Sequence, residues 1–320
     1  MTNANKSEIK VGISTCLLGE KVRYDAGHKL HRYSVDILSE YFTFVPVCPE
    51  LEVGMGVPRE AVRLVGEIDN PSMVGNKTDT DWTAKMNRYT AGRIKQRDLS
   101  DLCGYILKKD SPSCGMERVK IYHDSGMAER KAVGFWARRI MDNFPILPVE
   151  EEGRLNDNRL RENFIVRVFA YSRLRSLFKD TFSRKHVVEF HTGEKYLLMA
   201  HSPKHYTELG RLVAAIKDYS PSEFKRVYSE TFMEALRFKT TTRKNVNVLQ
   251  HLMGFLKKHL SKEEKADIIG TIDDYHKGLV PLIVPLTLVR HYINKHDIDY
   301  VQGQTYLNPH PKELMLRNHV

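Results

Sequence analysis

The sequence predicts an α/β N-terminal domain, a parallel Rossmann-like sheet with helices on both faces, followed by an all-α C-terminal domain. Three observations predict it. Strand-like and helix-like segments alternate over the first half, the order that builds a parallel sheet covered on both faces. The pattern turns helical beyond Glu150-Glu151-Glu152-Gly153. Residues 1–150 hold 22 Lys+Arg against 20 Asp+Glu, net +2, whereas residues 151–320 hold 28 against 20, net +8. The expected domains are residues 1–152 and 153–320.

In chain order, the runs IKVGISTCLLG and YFTFVPVCPE are β-branched or aromatic and end in turns carrying Gly or Pro, as does LCGYILKK. Such runs read as strands. Helices are expected between them at His28–Glu40, Thr78–Leu99 and Arg130–Asn143, and FPILPVEEE reads as the final strand. In the second half, RLRENFIVRVFAYSRLRSLF sets apolar residues at helical spacing among arginines. Helix starts recur at Ser202-Pro203, at Ser220-Pro221-Ser222-Glu223 and at Ser261-Lys262-Glu263-Glu264. Each pairs a capping Ser with Pro at the first helical position or Glu three residues on.

Composition narrows the function classes. With 41% hydrophobic and 28% charged residues over 320 positions, the chain has the balance of a globular protein and length for two domains. Met1 to Lys10 is polar, unlike a signal segment, and the apolar run Leu279–Val289 is short and broken by Pro281 and Pro285. A cytoplasmic location is therefore expected. Four cysteines in such a chain argue against a disulfide framework and leave metal binding, catalysis or core packing. The basic second half points to a polyanionic partner, nucleic acid first, against the plainer reading of a basic helical surface.

Three of the cysteines follow strands: Cys16 after KVGIST, Cys48 after FTFVPV, and Cys114 after YILKKDSPS. In a parallel sheet the carboxyl ends of the strands share one edge, where ligands bind. Three thiolates there suit zinc or iron–sulfur, centres that prefer soft ligands. There is no C-x-x-C pair, so spacing alone leaves core cysteines, a metal centre and a nucleophilic cysteine open. The neighbours favour a site. Glu50 shares the Cys48 loop, Ser111 and Ser113 flank Cys114, and Arg23, Tyr24 and Asp25 follow Cys16 in a Gly-punctuated loop. Cys103, inside an apolar strand, reads as core.

The segments GISTCLLGEKVRYDAGHK, PVCPELEVGMGVPRE and ILKKDSPSCG resemble the signatures of the thiouracil desulfidase family over residues 10–155. KYLLMAHSPKHYTELGRL and YLNPHPKELMLRNHV resemble an uncharacterised companion domain over residues 165–315. Fused chains of this layout resemble bacterial desulfidases that convert 4-thiouridine in tRNA to uridine. The resemblance implies a 4Fe-4S cluster held by Cys16, Cys48 and Cys114 with one iron open, Glu50 as the base for water, and Ser111 handling substrate or sulfur. Ser113 is a further catalytic candidate, and Arg23 and Tyr24 are substrate-binding candidates. The reaction implied is hydrolytic, releasing hydrogen sulfide from thiolated tRNA. Two other readings stand beside it: a desulfidase of free thiouracil or thiouridine nucleotides, and a non-catalytic RNA-binding protein with structural zinc.

Overall fold

The computed structural model describes residues 9–123 and 125–319. The polar segment 1–8 lies outside the described residues. The chain divides into two compact units, Met1–Asn156 and Asp157–Val320; the boundary expected from sequence was 152/153.

The first unit starts with β1 (Lys10–Ser14), then β2 (Thr43–Val47), the short helix α1 (Pro49–Glu52), β3 (Val62–Gly66) and β4 (Pro71–Gly75). Helices α2 (Thr83–Arg93) and α3 (Arg97–Ser100) lead to β5 (Leu102–Leu107), β6 (Val119–Tyr122) and β7 (Ala128–Ala132). Helix α4 (Phe135–Asn143) and strand β8 (Val149–Glu151) follow. One sheet runs β2-β1-β5-β8, with every neighbouring pair parallel. All six residues of β5 are buried, as are four of the five in β1. That is the near-continuous apolar strand a parallel sheet requires.

A second sheet, ordered β4-β3-β6-β7, was not foreseen. It joins two antiparallel pairs, β3–β4 and β6–β7, through a parallel β3–β6 contact. Leu64, Met73, Val119, Ile121 and Ala132 from its strands pack with Met86 of α2, and Trp82 and Phe135 cover that cluster. Its formation shortens two expected helices, and a third is also corrected. Ala128–Ala132 is drawn into the ladder, so α4 starts only at Phe135, after the extended Gly134. Asp81 bridges Val74, which delays α2 to Thr83. Of His28–Glu40, only a π turn at Tyr33–Ile37 and a 3-10 turn at Leu38–Glu40 are helical. Cross-strand pairing outweighs local helix propensity in the first two; in the third, Lys29 N and His31 N donate to Cys16 O and Leu17 O, which holds the start of the segment on the turn after β1.

The second unit is helical: α5 (Asn158–Leu177), α6 (Arg184–His201), α7 (Pro203–Ala214), α8 (Pro221–Arg237), α9 (Thr242–Leu256), α10 (Lys262–His276), α11 (Ile283–Lys295) and α12 (Asp299–Gln302). The three start signals are realised as caps. Ser202 accepts from His205 N, Ser220 from Glu223 N, and Ser261 forms a full capping box with Glu264. Helix α5 is partly covered. Of its five arginines only Arg159 is exposed, and Arg173 is clamped to buried Glu194 at 2.6 Å. Among the described residues, no helix is long and apolar enough to cross a membrane.

Candidate active site

The first sheet brings three cysteines together because β2, β1 and β5 lie side by side and point the same way. Cys16 sits in a 3-10 turn, Thr15–Leu18, directly after β1. Gly19 ends that turn with φ +91°, a left-handed conformation suited to glycine. Cys48 follows β2 and precedes α1; its backbone N–H is capped by the Glu52 carboxylate at 3.0 Å. Cys114 lies on the turn after β5. There the Ser111 hydroxyl accepts from Ser113 N at 3.2 Å and Cys114 N at 3.1 Å, and Gly115 N donates to Ser111 O at 2.8 Å. A second bracket comes from the start of α4. Gly134 N donates to Gly115 O, and Trp136 N to Ser113 O, both at 2.8 Å.

All three cysteines line one cavity of about 490 Å³, together with Glu50, Ser111, Arg23 and Tyr24. Burial pushes the Cys16 thiol up to about 11, with the nearby Cys48 adding to it. Burial also raises Cys48 and lifts Cys114 well above the ordinary thiol range, the Ser14 hydroxyl offsetting part of the latter. Without a metal these groups are protonated thiols, so a metal centre binding them must displace protons. Cys103 is buried within β5 and does not line the cavity.

Glu50 is held from two sides. Its Oε2 accepts from Arg59 Nη2 at 2.5 Å and its Oε1 from the Ser113 hydroxyl at 2.9 Å. Arg59 is itself anchored, donating through Nη1 to Val22 O at 3.0 Å and Gly56 O at 2.8 Å. Ser113, a catalytic candidate from the sequence, is fully buried and outside the cavity lining, and its hydroxyl meets Glu50. It positions Glu50. The Ser111 oxygen braces the cysteine turn from the cavity wall. Arg23 pairs with Asp25 at 3.4 Å and lies 5.2 Å from the Tyr24 ring, which is 41% exposed. Lys108 lines the cavity but is tied to Glu152 at 2.5 Å.

Sequence reasoning missed Arg59 and Ser14. Arg59 stands nine residues after Glu50 inside the motif PVCPELEVGMGVPRE, but no periodicity links the two. Ser14 accepts from Lys108 N at 3.0 Å and so joins the ends of β1 and β5. Its only signal was proximity to Cys16.

The donor set fits an iron–sulfur cluster. Three thiols from three strand ends meet one cavity beside a carboxylate, and in a cluster each thiolate takes its own iron. Among the described residues, no three His, Cys, Asp or Glu are gathered to hold a single metal ion. Structural zinc asks four ligands to converge on one point, and this geometry does not fit it.

Fold and site thus define an α/β domain with a thiol-lined, carboxylate-bearing pocket at the carboxyl edge of its parallel sheet. Residues 11–152 match the family described as 2-thiouracil desulfurase. Residues 195–311 match a family described as a protein of unknown function, DUF1722. The chain is similar to the uncharacterized protein YbgA of Escherichia coli (strain K12), at 27% identity over 165 residues, spanning 51% of this chain and 98% of that protein. Among solved structures it is similar to the [4Fe-4S]-dependent thiouracil desulfidase TudS. That likeness has 25% identity, covers 47% of this chain and 94% of that one, and has a TM-score of 0.38.

Proposed function

We propose that the first unit is an iron–sulfur-dependent desulfidase and that the chain converts 4-thiouridine in tRNA to uridine, releasing hydrogen sulfide. The observation that carries this reading is the meeting of Cys16, Cys48, Cys114 and Glu50 at one cavity. The three cysteines would hold a 4Fe-4S cluster. When bound, such a cluster with an open iron supplies a Lewis acid for the thiocarbonyl sulfur, drawing electron density from the ring carbon that bears it.

The protein's own groups do the rest. Glu50 takes a proton from the water that attacks this carbon. Arg59 and Ser113 fix the carboxylate, so it need not reorient during the reaction. Each carboxylate oxygen retains a further acceptor site for that water. Tyr24 and Arg23 bind the substrate at the mouth, the exposed ring offering a stacking face and the guanidinium a set of donors. Water adds, the carbon–sulfur bond breaks, and hydrogen sulfide leaves. No redox change is required.

The net +8 of residues 151–320 supports RNA as the substrate. The 2-thiouracil desulfurase family description and a cavity of small-ligand size favour a second reading, in which a free thiolated base or nucleotide is the substrate. Anaerobically purified protein is incubated with thiolated tRNA and, in parallel, with free 2-thiouracil and 4-thiouridine. Loss of thiouridine from tRNA is the expected result. Turnover of the small compounds alone would select the second reading, and no turnover of any substrate would overturn both.

A further inference from the structure

The charge excess of the second unit needs an exposed face, and α5, whose arginines other than Arg159 are half-buried, supplies little of one. The ends of α9 and α11, with α12, supply one. Phe255 and Tyr300 are 38% and 49% exposed and stack on each other with centroids 5.3 Å apart. His259 and His296 pair beside them at 5.6 Å, and Tyr292 stacks on His296 at 6.3 Å. Phe255 and His259 are four residues apart, as are His296 and Tyr300. Phe255 with Tyr300, and His259 with His296 and Tyr292, thus form two ring groups close together in the chain. Cations border them. Lys195 Nζ lies 5.9 Å from the Tyr300 ring, and Lys257 and Lys258, between Phe255 and His259 in the chain, are exposed. Neither of these two lysines forms an ion pair among the described residues. Nearby Glu264 is occupied by Lys295 at 2.9 Å, leaving Asp297 and Asp299 as the acidic groups of the α11–α12 turn.

An exposed stacked ring pair with exposed cations nearby in the chain supplies the elements of a single-stranded nucleic-acid platform, in which bases stack and cations meet the phosphates. We propose that this face binds a single-stranded segment of RNA, with Phe255 and Tyr300 stacking bases and Lys257 and Lys258 contacting phosphates. The inference rests on the RNA reading above and gives it a surface.

The test titrates the full-length protein with a fluorescently labelled oligouridylate and with a duplex RNA, reading anisotropy at several salt concentrations. Wild type is expected to prefer the single strand. The double variant Phe255→Leu/Tyr300→Leu keeps apolar bulk at two exposed positions. It should bind oligouridylate roughly tenfold more weakly, within the cost of one lost base stack, with its salt dependence unchanged. Lys257→Glu/Lys258→Glu should instead weaken binding and flatten its salt dependence. Oligouridylate binding by the leucine variant at the wild-type level would overturn the proposal. So would a wild-type preference for duplex, or a leucine variant that alters only the oligomeric state, which would mark the face as a contact between copies. Turnover of free thiolated base should stay at the wild-type level in both variants. If no variant, nor the wild type, turns over any thiolated substrate, the desulfidase reading fails while the oligouridylate titration still decides this one.

Discussion

At the scale of single residues, the candidate site separates groups that hold a metal centre from groups that move protons. Cys16→Ser, Cys48→Ser and Cys114→Ser should each abolish iron–sulfur absorbance in anaerobically purified protein. Cys103→Ser should keep it, because this thiol is buried in β5 away from the cavity. An essential Cys103, with one of the others dispensable, would overturn the ligand set. Glu50→Gln should preserve the absorbance while desulfuration falls by about 10²–10⁴, the usual contribution of a general acid–base group. Near-normal turnover would remove Glu50 from the mechanism. Arg59 extends the argument. Its side chain is 6% exposed against 15% for Glu50, so Arg59→Met leaves a largely buried carboxylate without its counter-charge. Breaking such a pair costs about 3–5 kcal/mol, measurable by denaturant unfolding.

At the scale of elements, two junctions carry testable weight. The first is the contact between α4 and the cysteine turn. A Cβ added at Gly134 would stand 2.5 Å from Ser113 O and 2.9 Å from Cys114 N. Gly134→Ala should therefore push the turn away and lower iron content without touching a ligand. Full iron loading in that variant would show that the turn is held by β5 alone. The second is the packing of the helical unit around neutral histidines. Burial holds His191, His201 and His310 down to about 4, against the ordinary 6.5. Between these values the unfolded chain binds protons that the folded chain does not. Stability is thus fully present above pH 6.5 and is lost as pH falls toward 4. For a ring as buried as His201 the loss reaches about 3 kcal/mol. Chemical denaturation at stepped pH should show this slope, and His201→Gln should flatten it. An equal slope in that variant would assign the acid sensitivity to other groups.

At the scale of the whole molecule, the chain joins a unit bearing the thiol-lined pocket to one that carries most of the net charge. Binding of intact tRNA should weaken steeply as salt rises, since phosphate contacts release counterions. A chain ending at Asn156, the last residue of the first unit, should retain its cluster and its action on a free thiolated base while losing most tRNA affinity. A truncated chain that binds and desulfurates tRNA like the full one would show that the helical unit is not what binds it. Much of this layout was legible in the sequence. The apolar runs before Cys16, Cys48 and Cys114 marked strands β1, β2 and β5, and the Ser-Pro and Ser-x-x-Glu signals marked α7, α8 and α10. Both kinds of signal lie within a few adjacent residues, where sterics, hydrogen bonding and burial period act locally. Glu50 could be named from its place beside Cys48, but Arg59 and Ser113 reach it across nine and 63 residues. The second sheet was hidden for the same reason: Arg130 to Ala132 reads as the start of a helix until β6 pairs with it. The arginines of α5 look like a binding surface until α6 and α8 pack against that helix and leave all but Arg159 half-buried. Local order is written in residue pattern, whereas partners distant in the chain are chosen by the packing that lets buried charges and backbone groups find one another, and only the tertiary structure decides those.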